Sequence, residues 1–491
     1  MVAATTLFAT FATDGAFGQQ IADAIRVSRQ GLHFNARALG LGNTYSTIGY
    51  DFSALRFNPA TMGVIDKFSY TMTVNTNAFK TTSDYYGTNV GFTTSSTTGS
   101  QMGLTLPIRL DSTRSAVIGF GYTQSKDFNL GYKYEGLNSS SSLGEGFSFV
   151  QTLAEHDDPL ARALGLSYPA YDSSGNYIGD RTVLGSNLYE RGYLLDEGGM
   201  FHFSFGAAVE PVHNVFFGVS GSYNAGPYTS DLELSASDTN DVYPAGVQTI
   251  PGNSQTDGFV GTDYRVVRSK TYTGWDVRFG VLYKLENFIG LSAFFKIPTA
   301  NRVDEDLFLS GKSRFAANRS IVVSETQSSS SYSFTPPAEM TLGGMVNLWI
   351  LTATAEASYI NYSDMKITSG VGELPDRTLI NKRIKDELSA VVNLNAGVEF
   401  RLPWTGLSAR AGAMYRPSPY KQDPSRFSQK FLTAGFGINS NNMMQFDIGY
   451  AYGWRGDETF RQTTDLQAAS DSGAQETITY HSVLFTMRFS P

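Results

Sequence analysis

The chain has no cysteine in 491 residues. That excludes disulfides, thiolate metal sites and a cysteine nucleophile, and it suits a polypeptide that crosses an oxidising compartment without mispairing. Charge is scarce too: Asp, Glu, Lys and Arg make up 17%, against about 25% in ordinary soluble domains. Lysine and arginine form no basic cluster and the net charge is −8, which argues against a nucleic-acid partner. No apolar run reaches the roughly 18 residues that a membrane-spanning helix needs. The histidines, His33, His156, His202, His213 and His481, are scattered without metal-ligand spacing. Neither a metal nor a cofactor is expected. Asp157-Asp158 and Asp304-Glu305-Asp306 fall in predicted loops, where solvated charge is the default, so the chain reads as a non-enzyme. Gly40-Leu41-Gly42 does not follow a strand in a βαβ unit, and a dinucleotide reading fails.

What the chain does have is glycine (49 residues) and aromatic side chains (13%). From Phe68 onward the hydrophobic period is two, the period of a strand. In Met444–Trp454, Phe446, Ile448, Tyr450, Tyr452 and Trp454 share one face, and Gln445, Asp447, Gly449, Ala451 and Gly453 take the other. Trp275–Leu285, Val392–Arg401, Phe201–Glu210 and His481–Phe489 follow the same design.

A soluble sandwich also alternates, but two further features decide. The segments have the ~10-residue length of a tilted strand crossing a bilayer. Their connections alternate between short, such as Glu286–Phe288 and Leu402–Gly406, and long, such as Leu137–Gly199 and Ala225–Thr271. Short turns at one rim and long loops at the other are the pattern of an outer-membrane barrel. Fourteen strands are predicted, near 68–79, 99–110, 115–128, 199–210, 214–224, 272–285, 289–299, 338–349, 350–362, 391–402, 406–416, 429–438, 444–454 and 478–489. The fold class is therefore all-β, a transmembrane antiparallel barrel with long extracellular loops.

Before the strands, residues 1–18 resemble the apolar part of a secretory signal, with Ala16 and Gly18 supplying small residues before Gln19. Residues 19–65 form an N-terminal hatch in the lumen, and 66–491 form the barrel. The hatch centres on Ala36–Gly63, glycine-rich and irregular. Within it, Pro59 fixes φ and pushes Asn58 towards an extended shape, while the Asn58 amide is able to bridge nearby backbone groups. The motif reads either as a tight turn launching the first strand or as a hatch element touching ligand or wall. Residues 147–165 look amphipathic and partly helical, either a cover for the barrel mouth or an ordinary loop helix.

The predicted lumen holds Arg278, Arg401, Arg410, Arg416 and Arg488 with Glu356, Glu399 and Asp447. An ion buried without a partner is costly, so these either pair across the lumen or leave Arg410 or Arg278 to grip a substrate carboxylate.

Ala36-Arg37-Ala38-Leu39-Gly40-Leu41-Gly42-Asn43-Thr44-Tyr45, followed by Asp51–Ala60, resembles the hatch of the FadL/TodX family of outer-membrane transporters for hydrophobic molecules. Pro337–Asp364, Leu407–Pro419 and Thr433–Trp454 resemble later hairpins of that family; residues 137–270 match nothing in it. Thr61-Met62, Gly49-Tyr50 and the ending Phe489-Ser490-Pro491 depart from its pattern. The resemblance implies Arg37, Gly40, Gly42, Leu55, Phe57, Asn58, Pro59 and Ala60 as hatch and ligand-gating residues. It also implies passive diffusion of a fatty acid or hydrocarbon through the bacterial outer membrane, past lipopolysaccharide, with lateral exit near a kinked strand. A relative of the family suggests the alternative, a secretion subunit of the type IX shuttle kind, binding protein partners through its loops.

Overall fold

A strand with one apolar and one polar face needs two different solvents, and an open sheet of such strands leaves unpaired edges. Closing the sheet into a ring satisfies both demands. The computed structural model describes residues 15–32, 34–109, 115–138, 150, 158–185, 187–286, 288–371, 377–440, 443–456 and 475–491.

In chain order the strands begin with β1 (Ser69–Tyr85), β2 (Thr88–Arg109), β3 (Ser115–Asp127), β4 (Leu130–Asn138), β5 (Tyr168–Tyr171), β6 (Tyr177–Arg181) and β7 (Leu188–Val212). Next come β8 (Val215–Ser237), β9 (Phe259–Leu285), β10 (Ile289–Pro298), β11 (Asn301–Phe315), β12 (Arg319–Thr335) and β13 (Glu339–Leu348). The last are β14 (Leu351–Asn361), β15 (Lys366–Val371), β16 (Ala390–Arg401), β17 (Leu407–Arg416), β18 (Gln429–Ser440), β19 (Met444–Gly456) and β20 (Gln475–Phe489). Fourteen of them, β1–β3, β7–β10, β13, β14 and β16–β20, form the closed antiparallel barrel. β20 closes it by pairing with β1 from Tyr70↔Phe489 to Asp84↔Gln475.

Each of the fourteen predicted strands corresponds to one ring strand, and the faces fall as the alternation implies. Leu394 on β16 is 50% exposed while Glu399 on the same strand is 1% exposed. Phe203, Phe205, Phe279, Leu291 and Phe295 stand outward, forming with their neighbours the apolar belt that a bilayer solvates. At the short-turn rim, Asn214, Glu286, Trp349 and Trp404 take positive φ, which lets the chain reverse in a few residues.

The strand ends differ from expectation. β1 and β2 run on as a hairpin to Tyr85 and Thr88, β7 starts at Leu188, and β9 starts at Phe259. The predicted loop Ala225–Thr271 and the connection between the strands predicted near 289–299 and 338–349 are largely strand, and Asp304–Asp306 lie on β11 rather than in a loop. The ladder outlasts the signal for a physical reason. Beyond the bilayer the outer face meets water, so residues 93–100 carry Thr and Ser on both sides and lose apolar alternation.

These extensions enclose a second apolar layer above the barrel, which includes Tyr85, Tyr134, Leu194, Leu232, Tyr264 and Phe315. The short helix Pro159–Ala163 packs into it.

Five α-helices are described: α1 (Gly15–Ser28), α2 (Ala36–Gly40), α3 (Ala54–Phe57), α4 (Pro159–Ala163) and α5 (Arg377–Glu387). Of the amphipathic stretch 147–165, residues 147–149 and 151–157 lie outside the described residues; α4 buries Leu160 and Ala161 in the upper layer. Residues 1–14 of the expected leader also lie outside them, and residues 15–18 form the start of α1.

Candidate functional site

The lumen is filled by the segment before β1. Asn35 caps α2, its Oδ1 accepting from Ala38 N at 2.6 Å, and the helix ends at Gly40. Gly42, at φ 63°, turns the chain where a side chain would strike Ala396 O at 2.7 Å. The backbone of this arm lies directly on wall glycines. A Cβ on Gly397 would meet Leu41 O at 2.3 Å, one on Gly435 would meet Gly40 Cα at 3.0 Å, and one on Gly449 would meet Ala36 O at 2.4 Å. Wall hydroxyls fasten the same arm: Ala36 N donates to Thr486 Oγ1 at 2.8 Å and Gly42 N to Thr433 Oγ1 at 3.1 Å.

A second arm, Leu55–Val64, seals the opposite wall. Asn58 is extended, with φ −142° and ψ 108°. Its Oδ1 accepts from Ala60 N at 3.0 Å, while its Nδ2 donates to Ser46 O at 3.0 Å and to Val281 O of β9 at 3.2 Å. The motif is thus a turn and a wall contact at once. Pro59 lies where a Cβ on Gly218 would touch it at 2.3 Å, Ala60 packs with Phe216 and Leu282, and Leu55 packs with Val117 and Ala208. Phe57 closes the middle against Phe34 (ring centroids 4.7 Å) and Tyr45 (5.3 Å). Ala36–Gly42 is wall-bound as well as Leu55–Val64, so both arms anchor the hatch.

Charges complete the seal. Arg37 meets Glu399 at two points, Nε–Oε2 2.9 Å and Nη2–Oε1 3.0 Å. Arg410 donates from Nε to the same Oε2 at 2.7 Å, from Nη1 to Asp447 at 2.6 Å and from Nη2 to Ser408 at 2.8 Å. All three of its nitrogens are committed within the protein, so Arg410 fits the pairing reading rather than that of a carboxylate grip. Arg278 gives Nε to Asp276 at 3.1 Å and lines a polar cavity of about 80 Å³ with Arg56, Lys296, Arg416 and Glu339.

A second cavity, of about 190 Å³, is mostly apolar, with Leu32, Phe79, Phe128, Phe431, Ile478 and Tyr480 in its walls. Lys126 and Arg416 line it too, with Arg26, Arg29, Asp127 and Asp196. They also hold the hatch: Lys126 Nζ donates to Arg26 O at 2.6 Å and Val27 O at 2.7 Å, the last turn of α1, and Arg416 Nη1 donates to Gln30 O at 2.8 Å. This cavity abuts an irregular seam. β2 pairs with β3 only from Arg109↔Ser115 to Gln101↔Thr123, and β3 bulges against β7 between Gln124 and Lys126. Side chains bridge the seam beyond, with Thr98 Oγ1 donating to Gln124 Oε1 at 2.5 Å and Ser96 Oγ donating to Asp127 Oδ2, which also accepts from Asn77 Nδ2 of β1 at 2.6 Å.

Sequence reasoning did not single out the wall glycines, Lys126 or the docking of α1. The glycines carried a signal: Gly397 and Gly449 occupy inward positions where any side chain would point into the lumen. Lys126 carried none.

A closed fourteen-strand antiparallel barrel whose lumen is plugged by its own N-terminal segment is a defined architecture. It is the barrel fold of FadL/TodX-type transporters. The Pseudomonas putida toluene transporter TodX superposes with a TM-score of 0.55 at 14% identity, covering 94% of this chain and 99% of that one. A Pseudomonas aeruginosa FadL homologue superposes at 0.50 and 11% identity, again over 94% and 99%. No family model matches the sequence and no curated relative does.

Proposed function

We propose that the protein is an outer-membrane channel for hydrophobic small molecules, gated by its hatch and driven by the ligand's own gradient. The observation that carries this reading is the mostly apolar cavity of about 190 Å³ between α1, β1 and β18–β20, set against the β3 seam. A ligand crossing the lipopolysaccharide settles there against the apolar side chains, and each buried CH₂ contributes about 0.8 kcal/mol. It leaves sideways through the seam, where side-chain bonds rather than a ladder join β2 to β3. The fold shared with a toluene transporter and a FadL homologue supports the class of cargo. Lys126 and Arg416 in the cavity lining suit a carboxylate on that cargo, as in a fatty acid. In this reading the outward apolar belt sits in a bacterial outer membrane, and Arg37, Leu55 and Asn58–Ala60 hold the gate.

The test is uptake of radiolabelled toluene and of dodecanoate into proteoliposomes containing the purified barrel. Faster uptake than by empty vesicles, with glucose excluded, is the expected result. Equal rates for both vesicle types sink the proposal.

One feature favours a second reading, a barrel subunit of a secretion system. The lumen is filled by ion pairs and the upper layer is sealed by packed apolar side chains. Co-purification of a secreted protein with the intact barrel, together with no uptake, selects it.

A further inference from the structure

The polar cavity beside Arg278 carries more positive charge than the carboxylates around it balance. Arg29, Arg56, Lys126, Arg278, Lys296 and Arg416 line it, against Asp276, Glu339 and Glu356. Those three acids are already engaged. Asp276 accepts from Arg56 Nη1 at 3.2 Å, Arg278 Nε at 3.1 Å and Asn224 Nδ2 at 2.9 Å. Glu339 accepts from Gln30 Nε2 and stands 3.3 Å from Lys296 Nζ, while Glu356 accepts from Ser46 N at 2.6 Å.

The cations are not satisfied in return. Arg56 and Arg278 are 6% and 5% exposed and share the one carboxylate of Asp276. Arg56 Nε is buried without a hydrogen-bond partner, and its Nη2 meets only the ring of His202, at 3.4 Å. Among the described residues, Nη1 and Nη2 of Arg278 bond to no group. A buried cation short of acceptors is costly, and the planar fork of a guanidinium matches two oxygens of an oxyanion at once. The cavity volume of about 80 Å³ has room for several water-sized groups, enough for four oxygens around one central atom.

We propose that this cavity binds a small inorganic oxyanion, phosphate or sulfate, which bridges Arg56 of the hatch to Arg278 and Lys296 of the wall. Arg56 lies on α3, Arg278 on β9 and Lys296 on β10, so the ion fastens the second hatch arm to the barrel. It supplies the negative charge that Asp276 cannot give in full to two arginines. Gln30, Gly31, Lys126 and Arg416 line this cavity and the apolar one alike, and so stand between the oxyanion and a hydrophobic cargo. The site does not depend on which cargo the channel carries.

The experiment is equilibrium dialysis of the full chain, purified in detergent without phosphate or sulfate, against radiolabelled sodium phosphate at fixed ionic strength. About one phosphate per chain is expected to bind, displaced by sulfate but not by chloride. Saturating phosphate is expected to raise the unfolding temperature by about 2 °C or more over chloride. Arg278→Met weakens phosphate binding about tenfold or more. Glu339→Gln removes a competing negative charge from the lining and tightens binding about fivefold. Misfolding cannot imitate that pair, because the two substitutions act in opposite directions. Sodium dodecanoate leaves the phosphate in place. No bound phosphate shows that water alone solvates the arginines and overturns the proposal. So does an affinity unchanged in both variants, or displacement by dodecanoate as readily as by sulfate. Toluene uptake by a barrel that binds no phosphate preserves the channel and removes this site alone.

Discussion

Gly42 of the hatch and Gly412 of β17 meet backbone to backbone: a Cβ on Gly412 would lie 2.4 Å from Gly42 N. No side chain fits between them. Gly412→Val is therefore expected to lift the first hatch arm off the wall, whereas Gly344→Val is a fair control, because nothing lies within 4 Å of its Cβ. Single-channel recordings in planar bilayers check this. The first variant should show frequent large openings and the second the parent's behaviour.

Glu399 sits between three arginines, within 2.9 Å of Arg37, 2.7 Å of Arg410 and 2.8 Å of Arg401. Glu399→Gln leaves the buried Arg37 without a counter-charge and is expected to cost about 3 kcal/mol. Arg37→Met is milder, because Glu399 keeps its other two partners. Thermal unfolding in detergent, followed by the loss of heat-resistant migration on gels, should rank the two in that order.

Removing Gln19–Gly63 takes away both arms while leaving the ring strands whole. The expected product is a leaky pore: liposomes carrying it swell in sucrose, and toluene no longer competes with dodecanoate for uptake. A deleted form that still excludes sucrose shows that the loops, not the hatch, seal the barrel.

The charge on Asp23 makes the docking of α1 pH-dependent. Its carboxyl lies at about 2, below its ordinary value of 3.8. A depressed carboxyl stabilises the docked form at pH above the ordinary value, and that contribution fades as pH falls from about 4 through about 2. Lys270, Arg26, Tyr272 and Tyr332 bond to it, and the carboxylates Glu305 and Asp196 stand beside the same cations, so comparison with Asp23→Asn isolates the share that belongs to Asp23. Hydrogen exchange of the α1 amides should accelerate there by the equivalent of about 2 kcal/mol, and Asp23→Asn should erase the dependence.

The sequence by itself determined the barrel. Alternation of faces is a local property, because neighbouring side chains on a strand point to opposite solvents, and fourteen such stretches could be counted without knowing their partners. It determined the plug as well, since Ala36–Gly63 breaks that alternation. Even the turn at Asn58-Pro59 was legible, being written in the backbone limits of two residues.

What the tertiary structure decided lies between residues far apart in the chain. Arg37 finds Glu399 across 362 positions, and Asp23 finds Lys270 across 247. Neither pair leaves a periodic trace, because an arginine on an inward face reads the same whether it is paired or waiting for a ligand. The assignment of Arg410 to its two carboxylates, and of α1 to the wall, came only when ring closure brought those faces together. The outer strand extensions were hidden for a related reason: in water both faces are polar, and the ladder alone marks the strand.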